Sequence, residues 1–154
     1  MSIRVESVSY TYMEDTPLSH TALHELSLTI PDGSFTAIAG ETGAGKSTLM
    51  QIMGGLVTPT KGNVFVDDTA LFGASGKERK PALAARLRVG MVFQYPEHQL
   101  FEETVYEDIR FGSKNQGLAE EEIDARVKDA MRLVGLDESY GARSPFALSG
   151  GEQR

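Results

Sequence analysis

Apolar positions along the first thirty residues recur every second residue. Ile3 and Val5 alternate, the pattern slips at Glu6–Ser7, and it resumes with Val8, Tyr10 and Tyr12; Leu26, Leu28 and Ile30 then alternate in turn. This period predicts two antiparallel strands joined by the polar loop Met13–Pro17, with Pro31-Asp32-Gly33 ending the second. Ser34 to Ala39 is different, a short apolar run without alternation, which predicts a central parallel strand covered on both faces. Leu49, Ile52, Met53 and Leu56 fall on one helical stripe that stops near Gly54-Gly55. Further on, Thr58–Gly62 predicts a turn, Asn63–Val66 a short strand, Gly73–Pro81 a polar loop and Arg88–Phe93 a second buried strand. From Leu118 to Val134 the residues Ile123, Val127, Ala130, Met131 and Val134 share one face of a helix, with Glu120–Glu122 at its start and Gly135 at its stop.

The order strand, glycine-rich loop, helix gives meaning to Gly40-Glu41-Thr42-Gly43-Ala44-Gly45-Lys46-Ser47-Thr48, a G-x-x-x-x-G-K-[ST] sequence in the context that this motif requires. Glycines let the backbone curl so that successive N–H groups point inward, and the following helix offers its unpaired N-terminal donors to phosphates. Lys46 is then a point charge for the β- and γ-phosphates and the Ser47 hydroxyl a ligand for Mg²⁺; Thr48 serves the helix or the α-phosphate. The expected cofactors are ATP and Mg²⁺.

Composition narrows the partners. Lys and Arg number 15 against 22 Asp and Glu, a net charge of -7, which argues against a nucleic-acid surface. There is no cysteine for a disulfide, a thiolate metal site or a nucleophile. The start MSIRVESVSY lacks the design of a secretory signal, and no run approaches the roughly 18 apolar residues of a membrane span, so a cytosolic location with any membrane role through a partner is expected.

Leu148-Ser149-Gly150-Gly151-Glu152-Gln153-Arg154, about a hundred residues after the phosphate loop, is similar to the LSGGQ signature of ATP-binding cassette proteins, with Glu152 where glutamine is commonest. The stretch Val89-Gly90-Met91-Val92-Phe93-Gln94-Tyr95-Pro96-Glu97-His98-Gln99-Leu100-Phe101-Glu102-Glu103-Thr104-Val105 resembles the second ATPase component of energy-coupling factor transporters, as does Leu133–Leu136 with Ser144–Gly151. Tyr95 departs from the phenylalanine more usual there. The resemblance spans essentially the whole chain.

It implies an α/β fold: a P-loop NTPase cassette core with a mixed sheet and helices, an N-terminal antiparallel β-subdomain, and the start of a helical signature subdomain, divided as residues 1–93 and 94–154. It implies that Gln94 touches metal and attacking water, and that Tyr12 stacks on adenine, with Tyr10 its rival. Ser149, Gly150, Gly151 and Glu152 would complete the ATP site of a partner. That partner would be a related ATPase, a heterodimer being expected and a homodimer the alternative, working with a transmembrane coupling subunit and a substrate-binding membrane subunit at the cytoplasmic face of a bacterial membrane. Tyr95–Val105 would meet the membrane subunit; His98 receives no chemical role. Alternative functions are the ATPase of a cobalt/nickel-type importer and a non-transport cassette protein.

Family members need, after the signature, an apolar strand ending in Asp-Glu and a later histidine. Neither follows Arg154, and Asp67-Asp68 and Glu102-Glu103 do not end apolar runs. The expectation is that these 154 residues bind ATP without hydrolysing it, and that uncovered strands leave them marginal or prone to aggregate.

Overall fold

The computed structural model describes residues 1–73 and 75–153, together with all side chains among them except that of Pro96. Ala74, in the expected loop 73–81, and Arg154, the last residue of the expected signature, lie outside the described residues. The chain divides into two compact units, residues 1–91 and the residues from Val92 onward.

The first unit is built on an antiparallel sheet. Strands β1 (Ile3–Tyr12), β2 (His20–Ile30), β3 (Lys61–Val66) and β4 (Thr69–Ala70) lie in the order β2-β1-β3-β4. The slip read at Glu6–Ser7 is a real irregularity: the ladder shifts between Val5 and Val8 on β2 and between Glu6 and Ser9 on β3. Ser7 takes a left-handed φ of 45°, and a Cβ on Gly62 of β3 would lie 2.3 Å from the Glu6 carbonyl oxygen, so only glycine lets β3 close on this bulge. Because the extra residue restores phase, Val5 and Val8 both face inward.

Helix α1 (Lys46–Met53) buries Thr48, Leu49, Ile52 and Met53. Ile52 and Leu71 are fully buried with Val5, Val8, Val64 and Val66 in the core of this unit, each large side chain contributing about 1.5–3 kcal/mol by burial. Helix α2 (Arg79–Leu87) follows, burying Ala82 and Ala85, where the sequence predicted loop as far as Pro81. Pro81 is the third residue of α2, a first-turn position whose N–H needs no intrahelical partner.

Two expected strands are absent among the described residues. Ser34–Ala39 has no ladder, and Phe35 is 99% exposed; Arg88–Phe93 likewise lacks a ladder, and Val92 is 83% exposed. A parallel strand draws all its hydrogen bonds from strands distant in sequence, and no described strand pairs with either segment.

The second unit centres on α3 (Val105–Asn115) and α4 (Glu120–Leu133). Ile123, Val127 and Met131 of α4 are buried against Tyr106, Ile109, Leu118, Leu136 and Tyr140, as the stripe predicted; Val134, expected on the same stripe, is instead exposed just past the helix end. Thr104 caps α3 by accepting the Glu107 N–H at 3.3 Å. The short helix α5 (Gly150–Gln153) carries the signature glycines. No helix of the described residues is long and apolar enough to cross a membrane.

Candidate functional site

The glycine-rich loop runs directly into α1. Gly43 and Gly45 adopt φ values of 86° and 81°, and Gly45 is the N-cap, a residue without a side chain to fill the cap. Gly45 is also sterically required, because an added Cβ would sit 2.6 Å from the Ala22 carbonyl oxygen and 2.9 Å from Leu23 Cδ2. Ala22 is where the β1–β2 register shifts between Tyr10↔Leu23 and Thr11↔Thr21. That bulge presses the sheet edge onto the loop and fixes where α1 begins.

Among the described residues, no backbone N–H from Gly45 to Thr48 finds an internal acceptor. Such donors, clustered at the positive end of a helix, suit a polyanion. Lys46 Nζ donates to the carbonyl oxygens of Gly40 at 2.8 Å and Glu41 at 2.7 Å, so its charge is folded across the loop. The Ser47 hydroxyl makes no hydrogen bond among the described residues, which leaves its oxygen free for a hard cation brought in with phosphates.

Thr42, Gly43, Gly45, Lys46, Ser47 and Thr48 line an open cavity of about 390 Å³, bordered on the other side by Tyr12, His20 and Ala22. Tyr12 is tied to α1, its hydroxyl 2.8 Å from Thr48 Oγ1, and its ring stands edge-on to Tyr10 at 4.8 Å. Tyr10 packs against the core of the unit and does not line the cavity. Glu41 and Ala44 belong to the loop, where the Ala44 N–H donates to the Glu41 carbonyl at 3.2 Å, but neither lines the cavity. His20 was missed by sequence reasoning: it lies six residues before the alternation that marks β2, and the intervening bulge erases the period that would have reached it.

The remaining candidates belong to the second unit. Gln94 is exposed, and its Nε2 donates to the Tyr95 hydroxyl at 3.4 Å. The Tyr95 ring stacks on His98 with centroids 5.6 Å apart. Ser149 and Glu152 form a reciprocal cap: Ser149 N–H and Oγ donate to Glu152 Oε2 at 2.8 and 2.7 Å, and Glu152 N–H returns to Ser149 Oγ at 3.4 Å. The Tyr140 hydroxyl donates to the other carboxylate oxygen at 2.9 Å. The Ser149 hydroxyl and N–H, followed by the Tyr140 hydroxyl, hold the Glu152 carboxyl below the ordinary carboxylate range. Gly150 and Gly151 have open space where a Cβ would stand, and neither has a positive φ, so nothing within the unit demands glycine there.

A cavity of about 200 Å³ in the same unit is lined by Leu100, Val105, Ile109, Val134 and Leu148 among others, with Asp108 in its wall. Asp108 Oδ2 is buried there without a hydrogen-bond partner among the described residues.

These features have counterparts in known proteins. The ABC transporter family profile matches residues 23–154. The chain is similar to the energy-coupling factor transporter ATP-binding protein EcfA2 of Clostridium acetobutylicum, 49% identical over 100% of this chain and 53% of the relative. The protein of that name from Streptococcus thermophilus is 51% identical over 100% of this chain and 54% of the relative. The chain thus spans about half the length of the curated relatives it matches. Among solved structures, the ATP-binding cassette MJ0796 in a dimeric post-hydrolysis state bound to ADP and Pi aligns with TM-score 0.80 and 28% identity, over 98% of this chain and 65% of that one. CbiO1 of Clostridium perfringens, described as part of the ABC transporter complex cbiONQ, aligns with TM-score 0.76 and 35% identity, over 98% and 57%. A phosphate-type loop seated on an antiparallel sheet, a capped serine-glycine-glycine turn and a family match over most of the length lead to one assignment: the chain belongs to the ABC transporter family.

Proposed function

We propose that the chain is the nucleotide-binding portion of an energy-coupling factor transporter ATPase. The observation that carries this reading is the Gly40–Thr48 loop, with its unpaired N–H groups and Lys46 bordering the 390 Å³ cavity. ATP enters with its phosphates on the loop and α1 and its adenine against Tyr12. Lys46 exchanges the Gly40 and Glu41 carbonyls for phosphate oxygens. Ser47 and Gln94 would hold Mg²⁺, which supplies charge neutralisation at the β- and γ-phosphates; Gln94 would also orient the attacking water.

Ser149, Gly150, Gly151 and Glu152 serve the ATP site of a related ATPase subunit. The support is that the two glycines have no internal reason to be glycine and so leave room for close approach by another molecule. The functional division is 1–93 for the sheet and phosphate loop and 94–154 for the glutamine loop and helical part. Tyr95–Val105, beside the apolar cavity with the unpartnered Asp108 oxygen, meets a transmembrane coupling subunit, which serves substrate-binding subunits for vitamins or metal ions at the cytoplasmic face of a bacterial membrane. The 154 residues bind ATP but do not turn it over: among the described residues no carboxylate lines the cavity to act as base.

Isothermal titration of the protein with MgATP, beside Lys46→Ala, tests the reading. Saturable binding that falls at least about tenfold in the variant is expected, the loss of a charge-assisted contact. Equal binding by both proteins overturns it.

A further inference from the structure

The cavity has a second ring in its wall for which the phosphate chemistry has no use. We infer that His20 is a nucleoside-contacting residue that forms, together with Tyr12, a two-ring wall for the base and ribose. The inference rests on the nucleotide reading above.

Three observations converge on this. His20 and Tyr12 are direct cross-strand partners in the β1–β2 ladder, so their Cβ atoms stand about 5 Å apart on the same face of the sheet. The neighbouring pair Thr11 and Thr21 joins side chains at 3.0 Å and, one residue along each strand, takes the opposite face. Second, the sheet edge that carries His20 is docked on the phosphate loop through Ala22, whose carbonyl leaves Gly45 no room for a Cβ. His20 is two residues from that contact, so its place over the cavity is set by the loop itself. Third, the polar groups are already apportioned: the Tyr12 hydroxyl is engaged by Thr48 and Lys46 by the loop carbonyls, whereas the His20 side chain makes no hydrogen bond among the described residues.

At this end of the cavity, therefore, Tyr12 offers an aromatic surface and His20 the hydrogen-bonding edge. A neutral imidazole carries one donor and one acceptor, which suits ribose hydroxyls and the edge of a purine. Inorganic phosphate groups bound on α1 and Lys46 would not need it.

The test separates nucleoside from phosphate contacts. Affinities for MgATP and for magnesium tripolyphosphate are measured by titration on the unmodified protein, His20→Ala and His20→Phe, with thermal unfolding as a check on folding. His20→Ala should weaken MgATP about fivefold while leaving tripolyphosphate within about twofold, and His20→Phe, which keeps a ring but no donor, should fall between. Unchanged MgATP affinity in His20→Ala overturns the inference. An equal loss for both ligands also overturns it, since His20 would then act through the phosphate loop. If the unmodified protein binds neither ligand, the nucleotide reading itself fails; if it binds both and only the His20 variants behave as wild type, that reading stands and this inference alone is lost.

Discussion

Each unit is stabilised internally by a different balance of forces. In the first, Val5, Val8, Ile52, Val64, Val66 and Leu71 form a continuous apolar core beneath the sheet and α1, and the phosphate loop is anchored to it by close backbone contact at Gly45. In the second, the most buried apolar side chains are Ile123, Val127, Met131 and Pro145, with Val105 close behind, and polar contacts add to them. Arg110 bridges Glu107 and Glu120 at 3.0 and 2.7 Å, the Tyr106 hydroxyl donates to Asp124 at 3.1 Å, and Glu152 caps Ser149. The Arg110–Glu120 pair opens to solvent on the Glu120 side, 70% exposed, where an ion pair contributes only about 0.2–1 kcal/mol, so the second unit has less in reserve. A densely packed cradle for phosphate in one unit and a smaller core in the unit that carries the proposed partner contacts fit the rule that segments which change partner come from the low-stability end of a structure.

The largest expected effect tests the apolar side of this contrast. Ile52→Ala, a cavity in the core of the first unit, should lower unfolding free energy by about 2–5 kcal/mol in urea titration. Backbone amide exchange should accelerate across β1, β3 and α1. If α3 and α4 lost protection to the same degree, the units would unfold as one and the contrast would fail. Next in size is Gly45→Ala. The new Cβ meets the Ala22 carbonyl in a left-handed conformation, a strain of about 1–3 kcal/mol, and MgATP binding should weaken through the displaced loop. Smaller again is Tyr106→Phe in the second unit, about 0.5–1.5 kcal/mol for the hydrogen bond to Asp124, with faster amide exchange confined to α3 and α4.

The same contrast explains what could be read from the sequence. The β1–β2 hairpin and the α4 stripe were legible because their partners lie close in the chain or on one face of one helix, and even the slip at Glu6–Ser7 appeared as a break in alternation. The runs 34–39 and 88–93 have the composition of buried parallel strands, but composition cannot supply the distant ladder such strands need, and Phe35 and Val92 stand exposed. Helix α2 was hidden by a proline that reads as a breaker but sits in a first turn. The glycine-rich loop running into a helix was legible from its residue types, although Gly40, Glu41 and Ala44 of the motif do not line the cavity. His20 and Tyr140 were not, since each is brought to its partners by register and tertiary packing.

The smallest effect concerns the polar side and has a definite sign. Glu152 is held below its ordinary value by Ser149 and then Tyr140, Asp124 by Lys128 before Tyr106, and Asp137 by Ser139. A carboxyl whose folded value is depressed adds stability above its unfolded value, about 4.3 for Glu and 3.9 for Asp, and loses it as pH falls through the folded one. The second unit should therefore loosen progressively below about pH 4; the first carries a comparable contribution outside its apolar core, where the N-terminal amine holds Asp32 down and the Ser2 N–H, then Arg88, holds Asp67 down. NMR titration of the Ser149 and Glu152 amides, which the cap joins, would follow the step directly. In Glu152→Gln the amide oxygen can still accept from Ser149, so the cap persists at neutral pH, but the carboxylate that titrates is gone. The step at these two amides should vanish while those near Asp124 and Asp137 remain. A step that survived the substitution would mean that the cap follows the unfolding of the surrounding unit, and that Glu152 organises the signature turn far less than its three short hydrogen bonds suggest.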